Sequence, residues 1–440
     1  MIKRIGFTVL RPKHLIYVQL FLVCVILFFI TEFGVPSSLM NVTDVITCAL
    51  LLFAVLSRIG THNKNKLNCV DVAVAIFLIY ALLTSAINGI DLLQVVWAFR
   101  VTFRFYIFYY CCVALLGRND VRTLLRMFEI LFVVNAILVA FEYVVQGKKG
   151  DYLGGMFGIE QGANGYMNIY LTLMLAYEIT RYLRQRQTLK ALIMYFLVVL
   201  GIAALAEIKF LYVEVIVIVL GSILLRFPNR KVIVLLAVVV VVLVMGMQML
   251  RLVFPESYEM MLTGEGTDNY LSASWTGGRE MGRTTAIMFI DTSFFSDRIV
   301  YETYGVGFGN LLLNRLFGLG FGSAEPSKLM HNPFSEQYSG TQYGAFEFAD
   351  RYLEMGWIGL FLYTLIFIMV LVSTFKKTAN TLDVEQLIWR ETVRIIIPIV
   401  LMNIWYGNLR TEASYILFFF LSLSRIQSDS SNTICCKKGF

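Results

Sequence analysis

The sequence predicts an all-α polytopic membrane protein with about twelve transmembrane helices. Three observations carry that prediction. Hydrophobic residues make up 58% of the 440 positions and charged residues only 15%, which excludes an ordinary soluble domain. The apolar residues fall in long runs without the alternation of a membrane β-barrel. Short basic clusters separate many of the runs.

The runs lie near 15–32, 40–57, 71–88, 97–116, 127–146, 164–182, 191–206, 207–226, 232–253, 350–375, 393–407 and 411–425. A helix of roughly 20 residues crosses the ~30 Å of bilayer hydrocarbon, and most of these runs approach that length. The first run has no small-residue cleavage site and is followed by further spans, so it reads as an anchor.

Lys and Arg set the orientation. They gather at Lys3/Arg4/Arg11/Lys13, Arg58/Lys64/Lys66, Arg118/Arg122/Arg126, Arg181/Arg184/Arg186/Lys190, Arg226/Arg230/Lys231, Lys376/Lys377/Arg390/Arg394 and Arg425/Lys437/Lys438. Twelve spans put every cluster on one side, the cytoplasmic one by the positive-inside rule. Both termini are then cytoplasmic. The chain divides into nine helices at 1–253, an extracytoplasmic loop at 254–345 between helices nine and ten, and three helices with a tail at 346–440. The net charge of +7 follows from this topology and gives no ground for a nucleic-acid partner. Membrane lipids are the expected surroundings. The seven cysteines all map to spans or to the cytoplasmic side, so no disulfide is expected. Cys435-Cys436 reads as a tail pair.

The loop carries ten acidic and five basic residues, and against that field Arg279 and Arg283 stand out. If the chain after Gly278 is helical, their spacing places both guanidiniums on one face. Paired guanidiniums suit phosphate oxygens. Within span four, Arg100 and Arg104 repeat the spacing. They face a polar cavity, or they snorkel to head groups. At the start of span eight, Lys209 lies between Glu207 and Glu214, as part of a charge network or as a cavity lining. Arg410 with Glu412 reads as a solvated turn or as a ligand contact. The glycines of Gly154-Gly155-Met-Phe157-Gly158 and Gly162-Ala-Asn164-Gly165 permit close approach to a ligand or another helix. His331 is the one histidine in the loop, a candidate base or a structural residue. Gly318-Leu-Gly320-Phe-Gly322 reads as a flexible approach to it. No Asp-x-Asp or His-rich set suggests a metal, and no cofactor is expected.

Together these pieces resemble the O-antigen polymerase and O-antigen ligase family of bacterial membranes. The resemblance rests on Gly155-Met-Phe157-Gly158 with Asn164, on Lys209 where relatives carry Ser-Arg-Gly, and on Gly278-Arg279 with Arg283. Gly318-Leu-Gly320 followed by His331-Asn332, and Glu354-Met-Gly356-Trp-Ile-Gly359, complete it. Glu-Ile-Lys in span eight and the long gap from His331 to Glu354 depart from the family pattern.

The resemblance implies a GT-C-like helical body and an inverting, metal-independent glycosyltransferase. Its donor is a glycan on undecaprenyl pyrophosphate. Arg279 and Arg283 would stabilise the leaving pyrophosphate and His331 would take the acceptor proton. Arg100, Arg104, Lys209, Arg410, Asn164 and Asn332 would line the substrate site. A polymerase of O-antigen, capsular or exopolysaccharide repeat units is the first expectation, with a flippase and a chain-length regulator as protein partners. A ligase to the lipid A core is the alternative. A flippase or other transporter is a third reading, opposed by the lack of an internal repeat. A membrane scaffold is the blandest.

Overall fold

The computed structural model describes residues 12–59, 68–226, 230–327, 330–375 and 383–426. Among them the regular structure is helical throughout. Among the described residues, nine α-helices precede the long loop: α1 (Pro12–Phe33), α2 (Asn41–Ile59), α3 (Cys69–Ile87), α4 (Leu92–Leu115), α5 (Arg118–Val144), α6 (Ala163–Leu183), α7 (Leu189–Leu205), α8 (Lys209–Arg226) and α9 (Arg230–Val253). The loop holds α10 (Pro255–Leu262), α11 (Gly264–Ser272), α12 (Ala286–Ile290), α13 (Arg298–Tyr304), α14 (Leu311–Phe317) and α15 (Pro333–Tyr338). Then come α16 (Glu347–Phe375), α17 (Val384–Tyr406) and α18 (Ser414–Ser422). Lys3, Arg4, Arg11, His62, Lys64, Lys66, Lys376, Lys377 and the Cys435–Cys436 tail lie outside the described residues, as does the side chain of Arg58.

Apolar runs become helices because a helix satisfies its own backbone groups where no water can. Polar residues at the run ends start them. Asp91 accepts from Leu93 N at 2.8 Å, Asp120 from Gly117 N at 2.9 Å and Asp383 from Val384 N at 2.6 Å. Among the described residues, seven segments are long and apolar enough to cross a membrane: α1, Ser37–Leu56, α3, α4, α5, α9 and α16. Their outward faces agree. On α5, Ile130, Val133, Ile137 and Val144 form one exposed apolar stripe, while Phe128, Leu131, Phe132 and Val139 are buried. Such stripes suit lipid tails.

The other predicted spans are helical too, but differ in kind. Helix α7 has 17 residues, and α6, α8 and α17 carry ionisable residues such as Glu178, Glu214 and Glu391. The last predicted span contains only nine helical residues, because turns take up 411–413 and 423–425. Every residue of α18 is buried, so it lies within the bundle rather than along its surface.

Helix α16 is broken at Gly356, whose φ of 63° is left-handed. A Cβ there would meet the Leu316 carbonyl oxygen at 2.4 Å, so only glycine fits. The carbonyls near the break find new donors. Leu319 N donates to Leu353 O at 2.9 Å, Gly320 N to Glu354 O at 2.9 Å and the Tyr80 hydroxyl to Met355 O at 3.0 Å. The segment from Gly318 to Gly322 is therefore a packed backbone splint and not the flexible approach its glycines suggested. Gly318 has a φ of 73°, and its Cβ would strike the backbone of Glu354. The two glycine motifs are thus halves of one contact.

The loop is docked against the bundle. Ser85 Oγ donates to Phe321 O at 2.7 Å, and Trp97 Nε1 to Pro326 O at 3.0 Å. Ion pairs gather the helix ends into two sets. Arg100 and Arg104 meet Asp44 at the loop-bearing end. Lys13 meets Asp120, Arg184 meets Glu391 and Arg425 meets Asp71 at the opposite end.

Candidate functional site

Arg283 sits where the loop meets the ends of α16 and α17. Its Nε donates to Tyr406 O at 2.9 Å. Three rings surround the guanidinium: Tyr406 at 4.1 Å, Phe346 at 4.9 Å and Tyr270 at 5.0 Å from its carbon to the ring centre. The cage is itself braced. Phe210 stacks on Tyr406 at 3.7 Å and 4°, and the Tyr270 and Tyr406 hydroxyls lie 2.9 Å apart. The guanidinium is half-buried and forms no ion pair with a described carboxylate. The aromatic faces hold its charge, and its Nη groups keep their hydrogen-bonding capacity.

Lys209, the first residue of α8, reaches the same cage. Its Nζ lies 4.9 Å from the Tyr270 ring centre and 3.1 Å from Glu207. Glu207 has a φ of 56° in the tight turn between α7 and α8, and it accepts a hydrogen bond from Ser257 of α10. Asn164 ties that turn down, since its Nδ2 donates to Ala206 O at 3.0 Å and to Asp151 at 2.8 Å. A cation at a helix N-terminus is disfavoured by the helix dipole, so Lys209 and the α8 amides jointly favour an anion there.

The pair expected from the sequence does not form. Residues 277–285 are non-helical, a run of turns and irregular chain that starts with Gly277 and Gly278 in left-handed conformations, and helix begins only at Ala286. Arg279 is exposed and makes no hydrogen bond or ion pair to a described residue. It does not share a helical face with Arg283.

The other predicted cations are neutralised. Arg100 contacts Asp44 at 2.5 Å and Asn41 at 2.7 Å. Arg104 contacts Glu412 at 2.8 Å and Asp44 at 3.2 Å. Arg410 is no solvated turn. It is buried against Glu325 at 2.6 Å, Asp350 at 3.1 Å and Glu347 at 3.5 Å. Burial opposes its charge, but Asp350, Glu325 and Glu347 outweigh it and hold Arg410 firmly protonated. Burial also pushes the Glu325 carboxyl up, with Arg410 opposing and Asp350 reinforcing. Arg351, fully buried, completes the cluster with Glu347 at 2.9 Å.

His331 is 75% exposed and pairs with Glu336 at 2.8 Å. Asn332 has a structural place, capping α15 through Ser335 N and donating to Ser323 O at 3.0 Å. The Gly154–Gly158 loop packs on helices. Gly155 N donates to Glu142 at 2.8 Å, and a Cβ at Gly158 would meet Thr31 Oγ1 at 2.5 Å.

Sequence reasoning missed Tyr270, Tyr406 and Phe346, which come from three distant segments. Nothing along the chain signals such a cage. It also missed Arg351, although Glu347 and Glu354 stand at helical spacing from it.

The helices and their lipid-facing stripes define a multi-pass membrane protein. No protein-family model and no curated protein matches the chain.

Proposed function

We propose that this protein joins oligosaccharide repeat units carried on a polyprenyl pyrophosphate into a polysaccharide at the outer face of the cytoplasmic membrane. The observation that carries this reading is Arg283, a guanidinium without a carboxylate partner among the described residues, caged by aromatic rings beside Lys209. Of the loop-end cations named in the sequence, Arg100, Arg104 and Arg410 face carboxylates and Lys209 pairs with Glu207, whereas Arg283 and the exposed Arg279 face none among the described residues. The twelve-pass topology with its loop outside belongs to this proposal, as does the inner-membrane location.

In the reaction, an acceptor hydroxyl oxygen attacks the anomeric carbon of the donor. The bond from that carbon to the pyrophosphate oxygen breaks, with inversion. Negative charge grows on the leaving pyrophosphate. Arg283 meets it with Nη donors, and Lys209 supplies a second positive charge. Both lie about 5 Å from the Tyr270 ring centre, so the two cations share one aromatic neighbour. Arg279, free on the adjoining turn, approaches the outer phosphate. The acceptor proton leaves to water or to His331. Arg100, Arg104 and Arg410 hold the bundle beneath the site rather than the donor.

Gene deletion with glycan analysis tests the reading. A deletion strain that keeps a single repeat unit on its acceptor fits a polymerase. Bare acceptor with polymer retained on the carrier lipid would move the reading to a ligase. Unchanged glycan would overturn both.

A further inference from the structure

At the end of the bundle opposite the loop, a cavity of about 460 Å³ opens between α5, α6 and α17. Five arginines line it: Arg118, Arg122, Arg126, Arg181 and Arg186. Three of them are matched by carboxylates. Arg118 meets Asp383 and Glu385, Arg122 meets Glu385 at 2.8 Å, and Arg181 meets Glu129 at 2.6 Å. Arg126 and Arg186 are exposed and form no ion pair with a described residue. The lining therefore keeps two positive charges in excess.

The positive-inside rule accounts for arginines at a cytoplasmic helix end. It does not account for their convergence from α5 and from the end of α6 on one cavity. Two further features favour an anion. Helices α5 and α17 both begin at this cavity, at Arg118 and Val384, so their positive ends face it. The remaining wall is apolar, with buried Leu125, Ile388 and Trp389. Matched pairs fix the shape of the cavity, while the unmatched arginines stay available. Guanidinium forks suit phosphate oxygens, and an apolar wall suits the neck of a lipid.

We infer that this cavity is a second phosphate site, which takes the phosphodiester headgroup of an anionic phospholipid or a soluble phosphate. It holds whichever way the bundle lies in the membrane and does not depend on the proposed polymerase activity.

The test uses the full chain purified in neutral detergent. Phosphatidylglycerol, phosphatidylcholine and inorganic pyrophosphate are added separately, and the thermal unfolding midpoint is followed by intrinsic fluorescence. Phosphatidylglycerol is expected to raise the midpoint, with phosphatidylcholine inert. The Arg126→Gln/Arg186→Gln double variant should bind at least roughly tenfold more weakly, as two charged hydrogen bonds are lost. Lys190→Gln, at the same end but outside the lining, should leave the response intact. Should the double variant fold poorly, each single Gln variant should weaken binding in part. A response to pyrophosphate but not to phosphatidylglycerol supports the site with a soluble occupant. Equal responses to both phospholipids, no response to any probe, or an undiminished response in the variants would overturn it.

Discussion

Both ends of the bundle collect arginine, but only some of those charges are left open to a ligand. At the loop-bearing end, Arg100, Arg104, Arg351 and Arg410 are sunk among Asp44, Glu412, Glu347, Asp350 and Glu325. Arg283 has three aromatic faces in place of a described carboxylate. At the opposite end, matched and unmatched arginines line one open cavity. A buried charge must be paired to exist at all, since desolvating it costs several kcal/mol. The paired arginines are thus explained by folding. The unpaired ones lie where solvent or a ligand can reach them, and they are the ones free to act.

This contrast makes its strongest statement at Arg104. The side chain is 12% exposed and bridges Asp44 and Glu412. Arg104→Ala would strand the buried Glu412 while Asp44 keeps Arg100, a loss of about 3–5 kcal/mol by comparison with other buried pairs. The folded fraction after extraction should fall sharply, as fluorescence-detected gel filtration would show. Normal folding with lost polymer synthesis would break the contrast and return Arg104 to the donor site.

Arg283 should behave in the opposite way. A charged hydrogen bond contributes ~1.5–3 kcal/mol, so Arg283→Ala should reduce polymer formation by roughly ten- to a hundredfold. Folding should be nearly unchanged. Arg283→Lys keeps the charge without the planar fork and should restore activity only partly. Arg279→Ala should lose less, because nothing in the fold fixes that side chain. Wild-type polymer yield from Arg283→Ala at matched protein levels would remove the cage from the mechanism.

What the sequence disclosed follows the range of the interactions involved. Helix positions were legible because apolar runs act locally, while the caps at Asp91, Asp120 and Asp383 that fix the starts were not singled out in the sequence. The Arg283 position was legible as a basic residue in an acidic loop. Its cage was not, because Tyr270, Phe346 and Tyr406 converge only after folding. Nor could spacing show that Gly277 and Gly278 turn the chain away from a helix before Arg279. The charge on Arg100 and Arg104 was visible, while the partner that neutralises it, Asp44, lies two helices earlier.

The Glu325 cluster sharpens the comparison through pH. Burial raises the folded-state pKa of Glu325 above its ordinary value. The folded protein then holds that proton more tightly than the unfolded chain does. The stability this gives is present below the ordinary carboxylate range and is lost as pH rises through the raised value. Glu325→Gln cannot titrate there. Between about pH 5 and pH 8, the wild-type unfolding midpoint should therefore fall relative to the variant. A midpoint difference that stays flat, or that grows in favour of the wild type, would mean that Arg410 holds Glu325 ionised throughout.

The smallest effect is expected at His331. Its imidazole is mostly exposed and touches Glu336, and its backbone carbonyl accepts from Gln94 Nε2 at 3.3 Å. None of the residues of the Arg283 cage contacts it among the described residues. Exposed polar contacts contribute little, so losing this one should scarcely disturb the fold. His331→Ala should lower turnover by less than roughly fivefold, the change expected when water takes the acceptor proton instead. Glu336→Gln should match it, since its influence passes through the same imidazole. The informative measurement separates turnover from donor binding in single-turnover assays with purified protein. If His331→Ala abolishes turnover while donor binding is untouched, the loop carries the base, and this exposed pair must close onto the cage during the reaction.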